Sequence, residues 1–522
     1  METSVGKSAS ASFFVMICTF LSRILGFVRL AVITTVFGGG EGADIINLAF
    51  SIPNNLRKLL AEGALSAAFI PVLSANLLSR PDGTRARPLV KGLLTFQILV
   101  ILPFCALCII FSDFLIRHVL AEFADPAKIE ASVGLFRLVI NYLLLISLSA
   151  VLMGILNAHS RFVVPAITPI IFSISVITSI ILLHGAMGVF SMAVGVLIGG
   201  VAQILFQYPL FHRLGYDFRP YFRPKDLEFR RIMVRWLPIL ATSSVFAITQ
   251  QIAYRFASGL EEGSITAVTI ALTFFQLPFG IFSASVTTVL FPRMSRQGAA
   301  KDMRGLRDSL QYGLRFLLIL LAPSAVFLCV WARRLISTGF QSGGFEEIHT
   351  LLSAKTLAMY SLGLFSVASF TFLQRFFYSL NDYKRPFFVA VGVALIDVAL
   401  TLWLKSTGLR TSGIALANSI AFSAGAVTLA VFAKRILGTI NGTGIAKTFF
   451  KVCIAILPGI AILAGFGTFV GKWWVEGRTL ASFFFVIVGA LLFAAPILLV
   501  YRLLGVEMLA DITKRFRRSP NG

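Results

Sequence analysis

Charge is what this chain has least of. Only 13% of its 522 residues are Asp, Glu, Lys or Arg, about half the share carried by a soluble domain. Acids are the scarcer sign, 23 against 46 Lys and Arg. With 57% of residues hydrophobic, too little polar surface is left to cover a water-soluble fold of this size. Cysteine is also sparse. Cys18, Cys105, Cys108, Cys329 and Cys453 all lie in apolar runs, and no second Cys or His pair accompanies the CxxC at 105–108. A zinc site, a redox pair and a disulfide scaffold are therefore set aside. The five histidines are scattered singly. No Gly-rich loop runs into Lys-Ser/Thr, and no nucleophile stands near a base at useful spacing. Catalytic residues, a metal and an organic cofactor are accordingly not expected, and neither is an enzyme. The first apolar stretch, from Phe13, is broken by Arg23 and has no small-residue cleavage site after it, so it reads as a first membrane span that is kept.

What the chain does have is long apolar runs, and a bilayer needs about 20 such residues per helix. Fourteen spans are expected: 13–36, 44–78, 90–111, 132–157, 165–183, 188–209, 236–258, 265–291, 316–331, 351–378, 387–403, 413–433, 452–470 and 480–501. The fold class is all-α and polytopic. The second run is too long for one straight span; Pro53 and Pro71 offer places to bend, and Gly38 to Gly40 loosen the turn before it. An even number of spans puts both termini on one side. Thirty Lys and Arg fall in that set of loops and tails against eight in the opposite set, which places the termini in the cytoplasm. The surplus of +23 is then mostly topology, and nucleic acid is not expected as a partner.

Some charges are not accounted for by loops. Residues 22–62 carry Arg23, Arg29, Asp44, Arg57, Lys58 and Glu62 within two apolar spans. A charge at the centre of a spanning helix costs about 2.5–3.5 kcal/mol on insertion scales. Residues at helix ends escape by snorkelling to the headgroups, and Lys58 has that option. Arg23, Arg29 and Arg57 taken together read instead as a site for an anionic ligand.

The chain also echoes itself. Pro71-Val-Leu-Ser74 returns as Pro292-Arg-Met-Ser295, an offset of 221, and Leu156-Asn157 returns as Leu380-Asn381, an offset of 224. Spans 1–6 and 7–12 are thus expected to be two parallel six-helix repeats, with two C-terminal helices added. The organisation expected is a first lobe at 1–209, a basic cytoplasmic linker at 210–235, a second lobe at 236–433, and helices 13 and 14 with a basic tail at 434–522.

Several stretches carry a family resemblance: SRILGFVR at 22–29, Asp44, PNNLRKLLAEGALSAAFIP at 53–71, LNAHSRFVVPAITP at 156–169 and FYSLNDYKRP at 377–386. They resemble the MurJ/MviN family of lipid II flippases, within the superfamily that also holds multidrug antiporters and O-antigen flippases. The resemblance covers nearly the whole chain. It implies a bacterial inner-membrane protein that moves the undecaprenyl-pyrophosphate-linked muropeptide, lipid II, from the inner to the outer leaflet by alternating access through a cationic cavity. Membrane lipids and other cell-wall synthesis proteins are its implied partners. By the same resemblance Arg23, Arg29 and Arg57 match cavity arginines, and Asp44 and Glu62 match cavity acids that hold the arginines when the cavity is empty. Guanidinium forks suit a pyrophosphate because they stay charged and bind it two-handed.

The chain departs from the family pattern at three places. Leu30 stands where an acid usually follows the second arginine, and Thr273 stands where an arginine is expected ahead of Pro278. Ala253 stands where sodium-binding members have an acid, which leaves Asp397 and Asn418 as candidates for a monovalent-cation site. Arg255 is the candidate substitute for the arginine missing at Thr273. Export of another polyprenyl-linked oligosaccharide or of drugs stays open as an alternative, as does a non-transporting membrane scaffold.

Overall fold

The structure is a computed structural model that describes residues 2–60, 64–79, 84–221, 223, 225–438, 442–477 and 479–506. Among the described residues helix is the only regular secondary structure, and there is no strand. It divides into two compact units, Met1–Thr266 and Ala267–Gly522. The expected lobes followed the sequence echo and started the second lobe at 236. Compactness instead keeps the helix over 227–258 with the first unit.

The first unit holds α1 (Glu2–Phe37), α2 (Glu41–Leu60), α3 (Ala64–Ser79), α4 (Ala86–Ile110) and the short α5 (Ser112–Phe114), which runs into a π-helical turn at Leu115–Leu120. After it come α6 (Pro126–Val139), α7 (Tyr142–Ala158), α8 (Val163–Met187), α9 (Phe190–Arg213) and α10 (Leu227–Ser258). α8 packs along α9 and against α1, while α2 and α3 pack on α10. Pro53 and Pro71 lie inside α2 and α3. Gly38, at φ +78°, ends α1 in the left-handed conformation that glycine adopts without penalty. The α8–α9 contact is backbone-close. A Cβ at Gly195 would stand 2.8 Å from the Cα of Val176, so a side chain there would push the two helices apart.

α11 (Ser264–Pro278) begins in the first unit and leads into the second. A π-helical turn, Phe279–Ser283, follows Pro278 directly, as expected where a proline removes a backbone donor. Then come α12 (Ala284–Ala299), α13 (Met303–Val330), α14 (Ala332–Phe340), α15 (Glu347–Leu362), α16 (Leu364–Ser379), α17 (Lys384–Lys405), α18 (Arg410–Leu437), α19 (Gly442–Gly471) and α20 (Leu480–Leu503). α17 pairs with α18, α18 packs on α15 and α16, and α19 lies between α13 and α20. Polar ties fasten the added pair to α13. Arg315 Nε donates to Thr448 Oγ1 at 2.8 Å, and Tyr501 Oη donates to the Ile319 carbonyl at 3.0 Å.

Among the described residues eleven helices are long and apolar enough to cross a membrane, or twelve if the bent pair α15–α16 is one span. The chain is a multi-pass membrane protein. The expected number of fourteen is not reached on those criteria. Residues 44–78 and 236–258 are helical where described; Asp44, Asn47, Asn54, Asn55 and Arg57 make α2 too polar to count.

The duplication is plain in the helix boundaries. α1 ends at Phe37 and α10 at Ser258; α6 starts at Pro126 and α15 at Glu347; α7 ends at Ala158 and α16 at Ser379; α8 starts at Val163 and α17 at Lys384. Every one of these pairs is 221 residues apart. The offset of 224 read from the Leu-Asn pairs is therefore a near-coincidence of local sequence, and 221 is the structural register.

Candidate cationic site in the first unit

Arg29 in α1 and Arg57 in α2 lie within electrostatic reach of each other and of Tyr142 at the start of α7. Arg29 Cζ stands 5.2 Å from the ring centroid of Phe172, in α8, and 5.6 Å from that of Phe50, in α2. The three rings form their own stack. Tyr142 and Phe172 are 4.9 Å apart and tilted by 23°, Phe50 and Phe172 are 6.3 Å apart, and Phe50 and Tyr142 are 6.2 Å apart. Arg57 is held from its own helix, with Nε and Nη2 donating to Asn54 Oδ1 at 3.2 and 3.0 Å. No hydrogen bond or carboxylate pairs with the Arg29 guanidinium among the described residues. Leu30, where the resemblance expects an acid, is buried in the packing.

Arg23 is not part of this cluster. It is exposed on α1, and six residues of helix put it about 120° from Arg29 around the axis. Asp44 is also elsewhere, which corrects the expectation that it holds the arginines. Its carboxylate is 2% exposed. Oδ2 accepts from the Gly263 N–H at 2.9 Å, and Oδ1 accepts from the Thr266 N–H at 2.9 Å and from Thr266 Oγ1 at 2.7 Å. Lys128 Nζ lies 3.9 Å away. With its acceptor positions used this way, Asp44 fastens the start of α2 to the α10–α11 turn. Asn47 and Ser51 extend the seam, one donating to Thr266 Oγ1 at 3.1 Å and the other to Gln251 Oε1 at 3.1 Å. Glu62 and the side chain of Lys58 lie outside the described residues.

Arg255 does not take the place of the missing arginine. Its Nη1 donates to the carbonyls of His118 and Val119 at 2.6 and 2.9 Å, and its Nε reaches Glu122 Oε1 at 3.3 Å. Its guanidinium thus pins the first π-helical turn, and Glu122 just beyond it, to the end of α10. Thr273 bonds back along its own helix, Oγ1 donating to the Thr269 carbonyl at 2.8 Å. In the second unit Asp397, 5% exposed, accepts from Asn418 Nδ2 at 3.0 Å on Oδ2, while Oδ1 has no hydrogen-bond partner among the described residues. Among the described residues no group of three or more His, Cys, Asp or Glu could hold a metal ion.

A family model described as lipid II flippase MurJ matches residues 33–484. The chain belongs to the MurJ family. Its relatives include a probable lipid II flippase MurJ of Borreliella burgdorferi, 31% identical over 98% of this chain and 99% of that protein. Another, from Thermotoga maritima, is 30% identical over 95% and 97%. Among solved structures, a lipid II flippase MurJ in an inward closed conformation superposes with a TM-score of 0.77 at 25% identity, covering 95% of this chain and all of that one. An inward-facing multidrug transporter of the MATE family, at 14% identity, shares the fold with a TM-score of 0.65.

Sequence reasoning missed Phe50, Tyr142 and Phe172. They come from α2, α7 and α8, each in an apolar run where an aromatic residue carries no signal. The only trace is Gly199-Gly200 in α9, which clears space for two of the rings. Cβ atoms there would fall 2.9 Å from Phe172 Cδ2 and 3.0 Å from Tyr142 Cδ2.

Proposed function

We propose that this protein flips lipid II, the lipid-linked peptidoglycan precursor, from the inner to the outer leaflet of the bacterial cytoplasmic membrane, working as a transporter and not as an enzyme. A cationic cavity opens to the two leaflets in turn, and both termini face the cytoplasm, as the thirty-to-eight bias of basic residues supports. The observation that carries the reading is that Arg29 and Arg57, on two different helices, lie within electrostatic reach of each other, with Arg29 also held against two aromatic rings. Two guanidiniums inside an apolar helical unit repel each other and are costly to insert, unless an anion with several oxygens joins them. A pyrophosphate has that form. The relatives point the same way, as both are described as a probable lipid II flippase MurJ. A transporter of cationic drugs would require the opposite sign at this place.

Purified protein in proteoliposomes, given a fluorescent lipid II analogue, tests the proposal. The wild type should make the analogue accessible at the opposite leaflet. Arg29→Ala and Arg57→Ala should lose that activity, and should lose complementation of a flippase-depleted cell while remaining in the membrane. Lysine at either position keeps the charge without the fork and should restore only part. Arg23→Ala, an expected cavity position that stands exposed and apart, should lose less than either. If Arg29→Ala and Arg57→Ala both flip at the wild-type rate, the cationic site is not the substrate site.

A further inference from the structure

Resting on that reading, we infer that Phe50 and Phe172, with Tyr142 packed against both, are positioning residues for substrate recognition: the two phenylalanines hold Arg29 by ring faces instead of a carboxylate, so that its N–H fork stays open to the pyrophosphate of a polyprenyl-linked substrate.

A charged guanidinium in an apolar bundle needs some electrostatic partner. A carboxylate would supply one, but it would occupy the N–H donors and have to be displaced by each incoming substrate. An aromatic face attracts the cation through its quadrupole and leaves the in-plane donors uncommitted. The distances of 5.2 and 5.6 Å to two ring centroids meet that condition. So does the absence of any hydrogen bond to Arg29 among the described residues, and so does buried Leu30 next to it. Tyr142 adds a polar handle. Its side chain is within electrostatic reach of both arginines, and the hydroxyl makes no hydrogen bond among the described residues.

The duplicated half is an internal control. At the offset of 221, Arg29 corresponds to Gln250, Phe50 to Ala271, Arg57 to Pro278, Tyr142 to Gly363 and Phe172 to Val393. The two glycines that seat the rings, Gly199 and Gly200, correspond to Ile420 and Ala421. The second copy builds matching helices with none of these residues, so the fold does not require them. Cation, rings and glycines occur together in the first copy and are missing together from the second.

The test measures binding of a polyprenyl pyrophosphate to the purified full-length protein. Phe172→Leu and Phe50→Leu keep apolar bulk and remove the ring face; each should bind about tenfold more weakly, the scale of one desolvated cation–π contact. Phe172→Tyr and Phe50→Tyr should bind like the wild type, a rescue that simple packing would not predict. In an Arg29→Ala background the leucine changes should weaken binding no further, because the rings act only through the cation. Thermal unfolding of each variant is measured alongside; should Phe172→Leu prove unstable, Phe50→Leu carries the comparison. If Arg29→Ala loses binding while the leucine variants bind normally, the aromatic cradle is wrong and the cationic site stands. If the leucine variants lose as much in the Arg29→Ala background as outside it, the rings act by packing, and the inference is again overturned. If Arg29→Ala itself binds normally, both the cradle and the substrate site fail.

Discussion

Ser160 and Asn381 are 221 residues apart and adopt the same left-handed backbone, each at φ 58°. Both follow the end of a helix, and their turns close alike. The N–H groups of Ser160 and Arg161 donate to Asn157 and Leu156 at 3.0 and 2.8 Å; those of Asn381 and Asp382 donate to Tyr378 and Phe377, both at 3.0 Å. A left-handed residue at a helix C-terminus is usually glycine, and Asn tolerates the position better than Ser. Ser160→Gly should therefore stabilise the protein by roughly 0.5 kcal/mol, and Asn381→Gly should be close to neutral. Valine at either position should cost about 1–2 kcal/mol. Thermal unfolding in detergent measures all four variants, and equal tolerance of Gly and Val would show that the turn relaxes.

Arg255 holds two carbonyls and Glu122 with one side chain about a third exposed. Discounting for that exposure, Arg255→Ala should cost about 1–2 kcal/mol, and amide exchange should quicken over 115–125 before it does elsewhere. Arg255→Lys, with a point charge in place of the fork, should recover less than half. If exchange in that segment stays at the wild-type level in Arg255→Ala, some other contact fastens it.

The loop after α9 should loosen in acid. His159 Nε2 and Tyr216 Oη are 2.9 Å apart. Partial burial, with the Arg161 charge second, holds the His159 pKa below its usual 6.5. Burial pushes the Tyr216 hydroxyl up to about 12, so it stays a donor to the neutral imidazole. A histidine with a depressed folded pKa binds more protons when unfolded. Its contribution is therefore present above pH 6.5 and is lost as pH falls through the folded pKa. Amide exchange at 214–221 should speed up below that point, and in His159→Gln that acceleration should disappear. A His159→Gln protein with the same acid response would place the titrating group elsewhere.

Ion coupling is the next expectation. Asp397 and Asn418 correspond at the same offset to Val176 and Leu197, so this polar pair belongs to the second copy alone. With Ala253 where an acid would complete a sodium site, flipping should follow membrane potential more than a sodium gradient. Asp397→Asn should then change activity little. Strong sodium dependence that vanishes in Asp397→Asn would reverse this view.

Much of this protein was written along the chain by itself. Apolar run length and the sparsity of charge determined a multi-pass helical protein, because lipid offers the backbone no partners outside a helix. The echo of Pro71 at Pro292 carried the true register of the duplication, and the motifs around Arg29 and Arg57 carried the family. These are local properties, legible from neighbours in sequence. Tertiary structure alone decided which charges meet. Helical periodicity gives the angle between Arg23 and Arg29, but not which of them faces α2 and α8; packing turned Arg29 inward and left Arg23 exposed. Asp44 looked like a counter-ion for the arginines until the α10–α11 turn claimed its oxygens. The rings around Arg29 had no signature at all, since a Phe in an apolar helix reads the same whether it meets lipid or a cation. The partner of a buried charge depends on the rotation and contact of helices distant in sequence, and no single helix records that.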